Sequence, residues 1–246
     1  MISLAALLVA ALAAVLGPPQ ESRAAAPPPQ PAPVTQGPET LIAELRGSAV
    51  ALRAPRADAR PRLRLSGAGT WSGGLQGLMV TGRHRDGAGR DWVRVQLPVR
   101  PNGSRGWLPL AKVRLWRTHT RFLVRLGSRR LEIWSGRRRV ATFPIGIGRP
   151  GTPTPTGRFA IQDPLRTPAR LRPVYGPWTL ILTAHSEAID QFNGGDALIG
   201  IHGAGNGRAW RVGEASSFGC VILSDRDLAA VARRAWPGTP VVITRA

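Results

Sequence analysis

Three short runs between residues 121 and 143 constrain the fold most. Phe122-Leu-Val-Arg-Leu126, Arg130-Leu-Glu-Ile-Trp134 and Arg139-Val-Ala-Thr-Phe143 alternate apolar and polar side chains at period two. Gly127-Ser128 and Ser135-Gly136 separate them, so the chain is expected to fold back on itself as consecutive hairpins. Further strands are predicted at Arg158 to Ile161, Trp178 to Thr183, Leu198 to His202, Cys220 to Leu223 and Val241 to Thr244. One helix is expected to start after Ser224, a good N-cap with Asp227 three residues on. It places Leu228, Val231, Ala232 and Ala235 on one face, read as core, and Pro237-Gly238 stops it.

From Thr40 to Arg117 short apolar runs are punctuated by Gly and Pro, the pattern of a second, small all-β module. Trp92-Val-Arg-Val-Gln-Leu97 alternates at period two, and Pro98-Val-Arg-Pro-Asn-Gly103 turns the chain before Gly106-Trp107-Leu-Pro-Leu110. Trp92 and Trp107 are read first as the core of this small barrel, and alternatively as the lining of a binding groove. Upstream, the apolar run Ile2 to Leu16 has the length of a signal-peptide core, with cleavage after Ser22-Arg23-Ala24 or Ala24-Ala25-Ala26. Its start has no Lys or Arg, which leaves an uncleaved anchor open. Residues 27–39, rich in proline, are expected to form an extended linker. With 246 residues there is room for a leader (1–26), this linker, a β-module (40–117) and a second domain (118–246).

The formal charge of +20 implies anionic surroundings, and since Lys112 is the only lysine the charge is almost all arginine. Nucleic acid, anionic envelope polymers and membrane surfaces all suit arginine, and codon bias would also produce it. Nucleic acid is not expected as a partner: the chain has no zinc-ligand set, no basic helix with heptads and no aromatic RNA-binding signature. One Cys and four scattered His have no metal-ligand spacing, so no metal or organic cofactor is implied.

That one cysteine, Cys220, excludes an intramolecular disulfide. As a nucleophile it needs a base to make it thiolate, usually an imidazole. His202 lies 18 residues earlier, with Gly203, Gly205, Gly207 and Gly213 letting the chain between them turn back. Spacing alone leaves open that Cys220 is a small buried hydrophobe and His202 a core histidine. His84 reads as a loop residue and His119 as a linker residue.

Context narrows this. Ile201-His202-Gly203 and Ser217-Phe218-Gly219-Cys220-Val221, at this spacing, resemble the catalytic motif of the bacterial L,D-transpeptidases, cysteine enzymes that cross-link peptidoglycan stem peptides. Gly151-Thr-Pro-Thr-Pro-Thr-Gly157, Tyr175-Gly176-Pro177, Ala184-His185-Ser186 and Gly194-Gly195-Asp196 follow the family's order. The stretch from Trp92 to Leu110 resembles the bacterial Src-homology-3-like modules found beside cell-wall enzymes. These resemblances imply a mainly β chain: a small β-barrel module, then a β-rich L,D-transpeptidase domain with one helix packed on its sheet.

The resemblance assigns Cys220 as nucleophile, His202 as base, the Gly203 carbonyl as the group that fixes its tautomer, and N–H groups around Gly219 and Cys220 as oxyanion donors. Tyr175, His185 and Ser217 match positions near the acyl-donor pocket, with a buried structural role as the alternative for His185. Partners implied are peptidoglycan stem peptides, for an exported monomer in the periplasm or cell wall. Three residues depart from the family pattern: Phe218 for histidine, Ile222 for arginine and Ala204 for threonine. Phe218 and Ile222 keep open a degenerate, non-catalytic wall-binding homologue, and an L,D-carboxypeptidase remains a further alternative.

Overall fold

In a computed structural model, residues 39–207 and 210–246 are described. The expected leader, and the linker but for its last residue, lie outside the described residues. The strands fall into two main sheets, and the chain passes from one to the other at His119, between strands Val113–Thr118 and Thr120–Arg125.

The first sheet has seven antiparallel strands, in the order Pro61–Leu65, Ala49–Leu52, Arg105–Pro109, Asp91–Gln96, Gly77–Arg85, Thr40–Leu45 and Val113–Thr118. Val93 and Val95 enter its aliphatic core with Leu45, Leu78, Leu97 and Leu108. The alternating partner positions of the same strand are also covered. Trp92 is 3% exposed, its indole N–H donating to Asp86 Oδ2 at 3.0 Å. Gln96 turns toward the second sheet, donating to the Arg158 carbonyl at 2.7 Å and accepting from Thr183 Oγ1. Trp107 is half-buried, with the Arg94 guanidinium 5.7 Å from its ring and the His84 ring edge-on at 5.9 Å.

The second sheet has eight strands: Arg138–Pro144, Arg130–Ser135, Thr120–Arg125, Pro240–Thr244, Gly157–Arg166, Trp178–His185, Leu198–Gly203 and Val221–Leu223, in that order. The three runs that open it form the two expected hairpins. The fold is mainly β, with few helices. Phe122, Phe159, Leu180, Leu182, Ile201, Val221 and Leu223 fill its core, each burial stabilising by roughly 2 kcal/mol.

Three boundaries differ from the sequence reading. Strand Gly157–Arg166 runs five residues past Ile161, because a register shift between Ile161 and Asp163 admits Pro164 without breaking the pairing with Trp178–His185. Cys220 lies outside the strand, which begins at Val221; just before it Gly219, at a φ of +116°, turns the backbone. The helix spans Asp225–Ala232, with Ser224 Oγ accepting from Asp227 N–H at 3.1 Å, a cap worth about 1 kcal/mol. It ends before Pro237, although Ala235 stays buried with Leu228, Val231 and Ala232. A one-turn helix at Arg172–Tyr175 was not expected; it delivers Tyr175 to the site.

Candidate active site

Strands Leu198–Gly203 and Val221–Leu223 are parallel neighbours, with His202 opposite Ile222. Parallel strands cannot be joined by a tight turn, so the chain between them must cross over, and Cys220 lies at the strand mouth where it returns. There Cys220 Sγ accepts from the Gly200 N–H at 3.4 Å. The turn before it is built by two residues. Ser217 Oγ donates to the Cys220 carbonyl at 2.7 Å and accepts from Gly219 N–H at 3.2 Å. A Cβ at Gly219 would lie 2.8 Å from Ile199 Cδ1, at a φ that other residues rarely adopt, so glycine is required.

This geometry alters two expectations. The Gly219 N–H, expected to meet an oxyanion, is engaged by the Ser217 hydroxyl. Ser217 lines the pocket, but its hydroxyl is spent inside the turn.

His202 is 2% exposed, and its Nδ1–H donates to the Gly203 carbonyl at 2.8 Å. A carbonyl can only accept, so the neutral ring carries its lone pair on Nε2. Burial pushes the imidazole pKa down to about 4 against the opposing pull of the Gly203 carbonyl. Burial pushes the Cys220 thiol up, opposed by the Gly200 N–H. The resting pair is therefore thiol and neutral imidazole rather than thiolate and imidazolium.

The imidazole is also walled by rings. Tyr175 meets it edge-on at 4.9 Å and Trp210 at 6.0 Å. Burial, with the Cys220 sulfur adding to it, raises the Tyr175 phenol. Behind the histidine, Gly176 and Gly203 pack backbone to backbone. A Cβ on Gly203 would lie 2.1 Å from Asp225 Oδ1, and one on Gly176 2.4 Å from the same atom. That oxygen accepts from the Gly205 N–H at 3.1 Å, so Asp225 fixes the loop that holds the tautomer-setting carbonyl.

Cys220, His202, Tyr175 and Ser217 line one pocket with Ile189, Phe192, Ala197, Leu198, Trp210 and Phe218. Its open space is about 20 Å³, room for one water. Gly203 and Gly219 shape its frame. His185 lies outside this lining, 1% exposed, with Nε2–H donating to Asp196 Oδ2 at 3.1 Å. Trp210 was not singled out from the sequence, although it is the only aromatic residue between His202 and Phe218. It is 8% exposed, and its indole N–H has no partner among the described residues.

The proline-threonine segment and Arg149 just before it brace the turn that precedes Cys220. Thr152 Oγ1 and the Arg149 N–H both donate to the Ser217 carbonyl, at 3.2 and 2.9 Å. The family model described as the L,D-transpeptidase catalytic domain matches residues 119–243, just over half of the chain. The chain belongs to the L,D-transpeptidase catalytic domain family.

Two curated relatives, provisionally named L,D-transpeptidase YkuD, match the same half. The one from Bacillus licheniformis is 32% identical over 124 residues, 50% of this chain and 65% of its own length. The one from Bacillus subtilis is 30% identical over 122 residues, 50% of this chain and 64% of its own. The chain thus spans just under two thirds of the length of these relatives. Among solved structures, an L,D-transpeptidase from Mycobacterium smegmatis is 13% identical with a TM-score of 0.40, over 67% of this chain and 93% of that one. Another, from Mycobacterium tuberculosis H37Rv, is 13% identical with a TM-score of 0.43, over 67% and 92%.

Within this L,D-transpeptidase domain the three departures have physical settings. Phe218 packs against Trp210 at 5.9 Å and Phe192 at 5.4 Å, with the Arg149 guanidinium 4.1 Å from its ring. Ile222 is fully buried, and its backbone pairs both ways with Gly146. The Ala204 N–H donates to the Leu223 carbonyl, so position 204 serves through its backbone.

Proposed function

We propose that this protein is a peptidoglycan L,D-transpeptidase acting outside the cytoplasm, with Cys220 as nucleophile and His202 as general base. The observation that carries the reading is the fixed tautomer: Nδ1–H is spent on Gly203, so Nε2 is the basic nitrogen in a pocket that His202 shares with Cys220. Because the resting pair is neutral, proton transfer accompanies attack. As Sγ bonds to the carbonyl carbon between the L-centre and the terminal D-alanine of a stem tetrapeptide, its proton passes to Nε2. The oxyanion is met by the Cys220 N–H, since that of Gly219 serves the turn. Collapse breaks the C–N bond, and the departing D-alanine amine takes the proton from Nε2. The thioester is then attacked by an acceptor amine, which gives a proton to Nε2; the C–S bond breaks and Cys220 recovers that proton as thiol.

The walls of Phe192, Trp210 and Phe218 support transfer over hydrolysis, because apolar rings offer a water few hydrogen-bond partners near the thioester. The arginine-rich surface suits anionic envelope polymers, and we read the first sheet as an accessory module beside the catalytic one.

Purified protein incubated with stem tetrapeptide and an amine acceptor tests this, with intact mass and product analysis as readouts. Cross-linked dimer is the expected product. Free tripeptide alone would make the enzyme a carboxypeptidase. No adduct with either tetrapeptide or a carbapenem would leave a wall-binding homologue.

A further inference from the structure

The turn joining strands Asp91–Gln96 and Arg105–Pro109 of the first sheet reaches across to the second. Asn102 behaves there as a detached peptide group. Its Oδ1 accepts from the His185 N–H at 2.8 Å, and its Nδ2 donates to the His185 carbonyl at 2.9 Å. It thereby completes the end of strand Trp178–His185 as a neighbouring strand would. Nδ2 also donates to Glu187 Oε1 at 3.1 Å.

Arg100 gathers the loop that follows. Its guanidinium donates to the carbonyls of Ser186 at 2.6 Å, Ile189 at 3.1 Å and Asp190 at 3.4 Å. Its Nε donates to Asp196 Oδ1 at 3.0 Å, while the other oxygen of Asp196 takes the His185 Nε2–H. One planar group thus ties together both ends and the middle of residues 186–196. A loop of this length loses much conformational freedom on being fixed, and its own pairing is short-range: a two-residue hairpin, Gln191–Phe192 with Gly195–Asp196, a turn closed on Ser186 Oγ, and the Ala197 N–H donating to the Asp190 carbonyl.

What this loop carries is pocket wall. Ile189, Phe192 and Ala197 line the cavity of Cys220, and Phe192 packs on Phe218 two residues before the nucleophile. We propose that Arg100 and Asn102 of the first sheet are positioning residues that hold the wall of the acyl pocket in the second. The accessory module is then part of the pocket machinery, whatever else it binds. The inference rests on the proposed function only in calling the pocket an acyl pocket.

The full chain is compared with Arg100→Ala, Arg100→Lys and Asn102→Ala, and with Arg56→Ala in the exposed Arg56–Asp58 pair as control. Backbone hydrogen exchange is followed over 186–197 and 216–220. Cys220 acylation by a carbapenem is measured against concentration, and alkylation by iodoacetamide reports the thiol itself. In Arg100→Ala, exchange over 186–197 should quicken at least ~10-fold and the half-saturating carbapenem concentration rise ~10-fold, with the limiting rate and alkylation within ~3-fold of wild type.

Lysine keeps the charge but cannot serve four acceptors in one plane, so Arg100→Lys should recover only part of this. Wild-type exchange and half-saturation in Arg100→Ala would overturn the proposal, as would a lowered melting point with exchange quickened equally everywhere. If Arg100→Ala fails to fold, Asn102→Ala carries the same readings without a change of charge. If wild type takes no carbapenem, the functional reading fails, while exchange over 186–197 and 216–220 still decides whether these residues hold the wall.

Discussion

His202 and His185 sit at opposite ends of one antiparallel ladder, His202 opposite Thr179 and His185 opposite Leu198, and both are almost fully buried. They differ in what holds them. His202 gives its Nδ1–H to a neutral carbonyl and keeps a basic nitrogen in the Cys220 pocket. His185 gives its Nε2–H to a carboxylate that Arg100 also grips, outside that pocket. Burial lowers both imidazole pKa values; at His185 the Asp196 carboxylate opposes that shift and Arg100 adds to it. The contrast teaches that burial does not select a base. The partner does, by deciding which nitrogen is left free and what it faces.

The largest expected effect breaks the pair apart. General-base catalysis contributes about 10²–10⁴-fold in rate, so His202→Ala should slow carbapenem acylation of Cys220 at least ~100-fold. Cys220→Ala should take no adduct at all. Near-normal acylation in His202→Ala, timed by intact mass, would erase the distinction drawn between the two histidines.

The second effect reads burial rather than rate. Folded His202 titrates at about 4 against an unfolded value of 6.5. Between those values the unfolded chain binds the extra proton, so acid favours unfolding. The contribution is present in full above pH 6.5 and is lost as pH falls to about 4. The difference is worth about 3 kcal/mol. Denaturant titrations from pH 7 to 4 should therefore show stability falling with a pH slope in wild type, the total fall being smaller by that amount in His202→Gln. Equal slopes would mean that the ring is not held neutral by burial.

His185→Ala should cost stability rather than chemistry. It empties a site that the 1%-exposed ring fills, a loss of about 1–3 kcal/mol, while the exposed carboxylate of Asp196 turns to water. Acylation should fall far less than in His202→Ala. A loss of rate matching that of His202→Ala, with the melting point unchanged, would move the base to His185.

Much of this site was legible because it is local. Cys220, Gly219 and Ser217 form one turn, and the isoleucine-histidine-glycine run holds both the imidazole proposed as base and the carbonyl that fixes its tautomer. Period-two runs gave the strands for the same reason: each strand's faces are written in its own residues. What was not legible depends on residues far apart in the chain. Asp225 reads only as the first helical residue after Ser224, yet its carboxylate is why Gly176 and Gly203 bear no side chain. Arg100 reads as one arginine of many in a turn. The sequence carries the helix at least three residues too far because Ala235 continues its apolar face; the helix ends at Ala232, and Ala235 is buried from a turn instead. Trp210 sits among glycines, and no pattern there shows that the loop folds it over His202.

The smallest effect concerns the position where this chain departs most from its family. Phe218 has no proton to move and is packed among Trp210, Phe192 and the Arg149 guanidinium. A histidine there would lose apolar contact and meet a cation, which disfavours its charged form, so Phe218→His should cost about 1 kcal/mol and remain neutral near pH 7. Its acylation rate should stay within ~10-fold of wild type, a packing effect rather than a chemical one. The decisive variant is the double one, Phe218→His with His202→Ala. The backbone turns sharply at Gly219, whose φ is +116°, and the side chain at 218 leads away to the Phe192 and Trp210 rings. An imidazole placed among those rings is not held in one tautomer by any carbonyl such as that of Gly203. The double variant should thus acylate as slowly as His202→Ala alone. If it regained most of the wild-type rate in a carbapenem time course, the base would be interchangeable between the two positions, and the carbonyl-fixed tautomer would not be what makes His202 different from His185.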